Sequence, residues 1–217
     1  ATQEAVWALR AATELATAPE AGFTVNDEAV DGPLVRVLEP DTFAPLAIRT
    51  RSTRDETLVL TTFGVPEVAP PAGGNGYSID RRYFTMEGEP VTPERVRAGD
   101  RFVTLLTVRP SGSREGRLMV VDPLPAGFEI DNPSLLSTGD VAALEWLTLE
   151  TTPSNVEFRS DQFRAAVDHY GSRAFQLAYI VRAVSPGSFH HPAAMVEDMY
   201  RPHYRAVSDT GRVTVVR

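Results

Sequence analysis

The chain contains no cysteine and no lysine. Without cysteine it can form no disulfide, thiolate nucleophile, cysteine zinc site or iron–sulfur cluster. Without lysine it has no Schiff-base amine, no P-loop lysine and no lysine general base. All 21 basic residues are therefore arginine, and the net charge is -8. They form no basic run, whereas nucleic-acid backbones are held by clustered positive charge. No nucleic-acid partner is expected. No apolar run approaches the ~20 residues of a membrane-spanning helix. Gly-x-Ser-x-Gly, the P-loop and a Gly-x-Gly-x-x-Gly after a strand are all missing.

What is present reads as a globular chain. At 217 residues, with 42% hydrophobic and 23% charged, it can form one large domain or two small ones. Thr2 to Ala18 reads as one helix, ended by Pro19. Ala5, Leu9, Ala12 and Ala16 form one apolar stripe, widened by Val6, Trp7 and Leu15. A lone helix of this length is marginal in water, so a partner is expected on that stripe. Because the chain opens inside this helix, we expect it to be cut from a longer protein.

From Gly22 the pattern changes to short β-branched runs: Phe23–Val25, Ala29–Val30, Leu34–Leu38, Leu46–Thr50 and Thr57–Phe63. Asn26-Asp27-Glu28 has turn composition. These runs predict a small antiparallel layer rather than a complete sandwich. Pro66 to Gly76 holds three Pro and three Gly and reads as a linker and domain border. Beyond it the predicted strands are Tyr77–Met86, Arg101–Val108, Arg117–Asp122, Phe128–Ile130, Val156–Arg159, Phe175–Val184, Tyr204–Val207 and Arg212–Val216. Tyr77, Ile79 and Tyr83 share one face, with Arg81 the exception on it. Pro93–Asp100 reads as a short helical or turn segment, and Asp140–Leu147 as a short helix. Asp161–Asp168 fits a bulged strand or a helical turn. The fold class is mainly β: an antiparallel β-sandwich of Ig-like kind, preceded by a smaller β layer and one N-terminal helix.

Few residues offer chemistry. A zinc site needs three or four convergent ligands. His190 and His191 are adjacent and face opposite sides of a strand, and nothing places His169 or His203 beside them. No metal site and no cofactor are expected. Glu197 and Asp198, Glu28 and Asp31, and the lone Asp161 do not form the facing carboxylates of a glycosidase. Glu197-Asp198 is read as a salt-bridge partner of Arg159 or Arg201, and Arg81-Arg82 as a solvated strand face. The chain is expected not to be an enzyme. One stretch stands apart: Pro192-Ala193-Ala194-Met195-Val196-Glu197-Asp198-Met199-Tyr200-Arg201-Pro202. It is apolar, then acidic, then Met-Tyr-Arg, with proline at both ends. It fits either a strand end packed into the core or a presented tip.

Four blocks carry a resemblance: Pro70–Phe84, Val120–Ile130, Ala178–Gly187 and Val196–Pro202. In this order they resemble the C-terminal end of bacterial alpha-2-macroglobulins, across nearly the whole chain. The resemblance implies a map. Residues 1–18 would be the terminal helix of a helical thioester-type domain, and 20–70 part of a CUB-like β domain. Residues 71–217 would be the final macroglobulin-like β-sandwich. Such proteins are periplasmic, broad-spectrum protease traps: cleavage of an exposed bait region cages the protease, and some members then acylate it with an internal thioester. In the family a Met-Tyr pair of the final domain packs over that thioester, and Met199 and Tyr200 match it. Glu197, Asp198, Arg201 and Pro202 would support the pair. The implied partners are an upstream helical domain of the same protein, target proteases and envelope proteins. The implied location is the periplasm, with a tether to the inner membrane through upstream residues. A second reading stays open, a protein-binding β-sandwich module of an envelope complex without covalent trapping.

Overall fold

In the computed structural model, which describes residues 2–16, 22–30, 45–51, 59, 61, 68–131 and 141–217, the chain divides into two units, Ala1–Val65 and Pro66–Arg217. The first unit carries helix α1 (Thr2–Ala16). Of its apolar stripe, Val6, Trp7 and Leu9 stand exposed, Trp7 at 66%. Strands β1 (Phe23–Val25), β2 (Glu28–Val30) and β3 (Ile48–Thr50) form a small antiparallel sheet in the order β2-β1-β3. Asn26 and Asp27 adopt positive φ of 53° and 67°, the conformation a two-residue hairpin with native twist requires. Asn26 also exchanges hydrogen bonds with Ala47, its amide to the Ala47 carbonyl and its side-chain oxygen from the Ala47 amide. The predicted strand Leu34–Leu38 and most of Thr57–Phe63 lie outside the described residues, as do Asp31 and Asp140.

The second unit is built from β4 (Gly73–Asn75), β5 (Tyr77–Phe84), β6 (Pro90–Val91), β7 (Arg95–Arg97), β8 (Arg101–Pro110), β9 (Arg114–Pro123) and β10 (Phe128–Ile130). It continues with β11 (Asn155–Phe158), β12 (Gln162–Gly171), β13 (Phe175–Ala183), β14 (Gly187–His191), β15 (Met195–Asp198), β16 (Arg205–Val207) and β17 (Gly211–Val216). A five-stranded sheet, β10-β13-β8-β5-β6, and a six-stranded sheet, β11-β12-β9-β15-β16-β4, share one core, and a third sheet, β14-β17-β7, adds Val96, Val213 and Val215 to it. Period two supplies that core. Leu106, Val108 and Tyr179 come from one sheet; Leu118, Val120, Phe163 and Val196 come from the other. The Phe163 and Tyr179 rings stack across it at 4.4 Å. The expected antiparallel β-sandwich is present.

β8 is buried along nearly its whole length. Its second face, with Ala178 and Ile180, lies under Trp146, Leu147 and Leu149. Residues 141–149 therefore cover the outer face of the five-stranded sheet. Trp146 is pinned there by donating its indole N–H to the Met86 carbonyl at 2.9 Å.

Three local readings are corrected, and the choice left open at Asp161–Asp168 falls to a strand, without a bulge. Gly73–Asn75 is not linker: it is an edge strand paired with β16. A Cβ on Gly74 would lie 2.4 Å from that of Ala206, so only glycine lets the two backbones approach. Pro93–Asp100 holds strand β7, parallel to β17, because a partner strand passes close enough to override weak local preference. Asp161–Asp168 enters β12, whose register with β9 runs unbroken from Gln162 to Gly171. Of the helix expected over Asp140–Leu147, the described residues 141–147 form a 3-10 turn at Val141–Ala143 and no further helix.

Arg81 corrects a fourth reading. The Arg81-Arg82 pair is not a solvated face. Arg82 is exposed and pairs with Asp80, but Arg81 points inward and bonds buried Asp122 of β9 at 2.5 Å. Its other terminal nitrogen donates to the Pro192 carbonyl at 2.8 Å, and the Tyr179 hydroxyl donates to Asp122 at 2.7 Å. Burial pushes Asp122 above the ordinary carboxylate range, opposed by Arg81 and the Tyr179 hydrogen bond. Beside this cluster, buried His191 shares a 2.8 Å hydrogen bond with the Tyr83 hydroxyl. Burial, then the charges of Arg81 and His190, bring the His191 pKa down to about 3.

Two outcomes follow from this cluster. Asp122→Asn leaves Arg81 buried without its counter-charge, and should lower unfolding free energy in urea titrations by about 3–5 kcal/mol. His191 stays neutral when folded but gains a proton at the usual 6.5 when unfolded. Its stabilising contribution is thus complete above about pH 6.5 and lost as pH falls toward 3. Replacing it with a non-titrating acceptor, His191→Gln, should shrink the stability difference between pH 7 and pH 4 by about 3 kcal/mol. An unchanged difference would show that His191 does not carry it.

Candidate functional site

β15 carries the apolar-then-acidic stretch to one end of the six-stranded sheet, hydrogen-bonded between β9 and β16. Alternation aims its side chains. Val196 and Asp198 face inward and are buried, while Glu197 is half-buried. A buried carboxylate is costly unless bonded, and Asp198 is bonded on both oxygens. Oδ1 accepts the backbone N–H groups of Tyr200 and Arg201, each at 3.0 Å. Oδ2 accepts Nε and Nη2 of Arg201 at 3.0 and 2.9 Å. The result is an Asx-type turn locked by a charge-assisted pair. The Met199 amide donates to the Arg117 carbonyl at 2.8 Å, and Arg201 also donates to the Glu115 carbonyl. Both contacts fold residues 199–201 over the end of β9.

Only the backbone of this turn is tied down. The side chains of Met199 and Tyr200 are 52% and 60% exposed, so they stand outside the core. Pro202 is exposed in the return to β16. That return is closed by Tyr204, whose amide donates to Arg201 and whose carbonyl accepts from Asp198. Arg201 is the partner of Asp198, as one of the two readings held; Arg159 pairs with Glu157 instead.

A support lies beneath the turn that the sequence reading did not find. The Arg114 guanidinium sits 4.3 Å above the Tyr204 ring, with Arg201 at 5.7 Å, both cation–π distances. Gly76, at φ +77°, faces this ring: a Cβ there would meet it at 2.8 Å. A Cβ on Gly116 would come 2.8 Å from Asp198 Oδ2 and 3.1 Å from the Tyr77 hydroxyl. Asn75 donates its side-chain amide to the His203 carbonyl. These residues come from β4, β5, Gly76 between them, β9 and the loop before β16, so no spacing along the chain could reveal them. Beside the turn lies a shallow cleft of about 300 Å³, lined by Gly116, Tyr170, Asp198, Tyr200 and Arg201 among others.

The other candidates stay apart. His190 is exposed and His191 is buried, on opposite sides as expected. His169 is buried against Phe175, and His203 packs tilted against Tyr204. Among the described residues no group of three or more His, Cys, Asp or Glu could hold a metal. Glu28 and Asp161 are exposed in different units. A larger cleft of about 860 Å³ lies away from the turn, over Arg81, Tyr83 and His191. Those three are already bonded to Asp122, Pro192 or each other.

If Asp198 holds the turn, Asp198→Ala should speed amide hydrogen exchange at Tyr200 and Arg201 by about tenfold or more, given the usual worth of bonds to a charged acceptor. Exchange in β8 and β13 should not change.

Residues 76–203 match the family model of the bacterial alpha-2-macroglobulin MG10 domain. The chain is 36% identical over 157 residues to an alpha-2-macroglobulin of Xylella fastidiosa, covering 69% of this chain and 9% of that protein. With the alpha-2-macroglobulin of Escherichia coli it shares 32% over 188 residues, covering 83% and 11%. The native conformation of the Escherichia coli protein, solved by cryo-electron microscopy, aligns with 95% of this chain and 14% of its own at a TM-score of 0.74 and 25% identity. The chain thus spans about a tenth of the length of the curated relatives it matches. With an MG10 match across most of the second unit and relatives aligned over most of its length, this chain belongs to the bacterial alpha-2-macroglobulin family.

Proposed function

We propose that the chain is the C-terminal part of a periplasmic, broad-spectrum protease-trapping inhibitor, serving bacterial defence and tethered to the inner membrane through upstream residues. Residues 71–217 are its final macroglobulin-like domain. Residues 1–18 are the last helix of a helical thioester-type domain, and 20–70 belong to the CUB-like domain between them. The tip at Met199 and Tyr200 docks on that helical domain and shields it. Glu197, Asp198, Arg201 and Pro202 shape the strand end and turn that present the pair.

One observation carries this reading: two large apolar side chains are held in solvent on a turn whose backbone Asp198 locks. Burying both would contribute roughly 2–5 kcal/mol. Because the turn is already ordered, little further entropy is lost on contact. An aromatic ring beside a flexible thioether fills an irregular pocket and excludes water. That is what an acyl bond prone to hydrolysis needs, and it asks for no catalytic group. Tyr200 then acts as a shield. The chain is not an enzyme on this reading, and proteases are partners of the full-length polypeptide.

The test uses the full-length polypeptide. Tyr200→Ala should accelerate amide exchange on the face of the helical domain that the tip covers, by about tenfold. Protection unchanged by that substitution would sink the docking role. Purified 1–217 should turn over no ester, peptide or glycoside substrate. If it instead captured the same envelope proteins with and without added protease, the module of an envelope complex would replace the trap.

A further inference from the structure

Tyr170 is 73% exposed, more than any other described aromatic side chain. It stands next to last on β12, opposite Glu115 of β9. Alternation sends His169 into the interior and Tyr170 out. At the same end of the sheet, Tyr200 rises from the turn that Asp198 and Arg201 hold. The two tyrosines line one cleft of about 300 Å³. Gly116 lines it too. A lone exposed tyrosine needs no explanation. Two on one cleft, with Met199 beside them, form a surface of the residue types that anchor interfaces. Both are preorganised: Tyr170 sits in the β12–β9 ladder, and the Tyr200 backbone is bonded to Asp198.

We infer that Tyr170 is the second jaw of the docking tip, and that the two tyrosines clasp an apolar side chain of the upstream helical domain. This rests on the docking role proposed above. The occupant belongs to the same polypeptide. The matched region is only 9% and 11% of the curated relatives, so an upstream domain on the same chain is present at high effective concentration. It is apolar because the two exposed rings are the apolar surface of the cleft. The arginines that line it are already paired, Arg201 with Asp198 and Arg117 with Asp168, and Glu115 is the one lining charge without an ion pair among the described residues.

Amide exchange in the full-length polypeptide tests this. Tyr170→Ala should deprotect the same helical-domain amides as Tyr200→Ala, by about tenfold. Tyr170→Phe, which keeps the ring, should leave them protected. The melting temperature should not move, since Tyr170 lies outside the core. If Tyr200→Ala deprotects these amides and Tyr170→Ala does not, the second jaw is wrong and the docking role stands. If neither does, the docking role falls and this inference with it.

Discussion

The sandwich depends on one buried charge pair. Arg81 lies on the five-stranded sheet and Asp122 on the six-stranded sheet, and their contact bridges the two. Tyr179 donates to the same carboxylate from a third strand. In a low-dielectric interior neither charge is tolerable without the other, so the two sheets have one relative placement in which both are satisfied. Arg81 also donates to the carbonyl of Pro192, three residues before β15 begins. The core charge therefore sets where the last part of the chain enters the six-stranded sheet. Everything at the far end of β15 inherits that placement.

The same device recurs at that far end on a smaller scale. Asp198, like Asp122, is a buried carboxylate paired with an arginine, but its partners Tyr200 and Arg201 both belong to the turn that follows it. Its arginine is closer to solvent and its backbone donors belong to the turn itself. Asp122 joins sheets; Asp198 shapes a surface. The arginine-only composition suits both tasks, because a guanidinium can bond a carboxylate and a carbonyl at once and stack on a ring. Arg201 bonds Asp198 and the Glu115 carbonyl and lies at cation–π distance from Tyr204.

Much of the fold was legible because strands alternate with period two. Tyr77, Ile79 and Tyr83 on one face, and Phe175, Leu177 and Tyr179 on another, are core residues at the places that pattern assigns them. Two of the errors share one cause. Gly73–Asn75 and Arg95–Arg97 have weak intrinsic preference for strand, and both become strands because a neighbour offers backbone partners. Arg81 looked solvated because sequence shows residue type but not which carboxylate waits across the core.

The candidate site divides in the same way. Sequence by itself determined the family and the sandwich, since these rest on local pattern and on blocks read in order. It left Met199-Tyr200 as either a packed strand end or a tip, and Asp198 with either Arg159 or Arg201; the fold decided for exposed side chains and for Arg201. Only the tertiary structure decided that Gly76, Arg114, Gly116 and Tyr204 lie under that turn, and that Tyr170 lies beside it. These five come from distant strand ends that meet only once the sheet register is formed, and register is a property of paired chains.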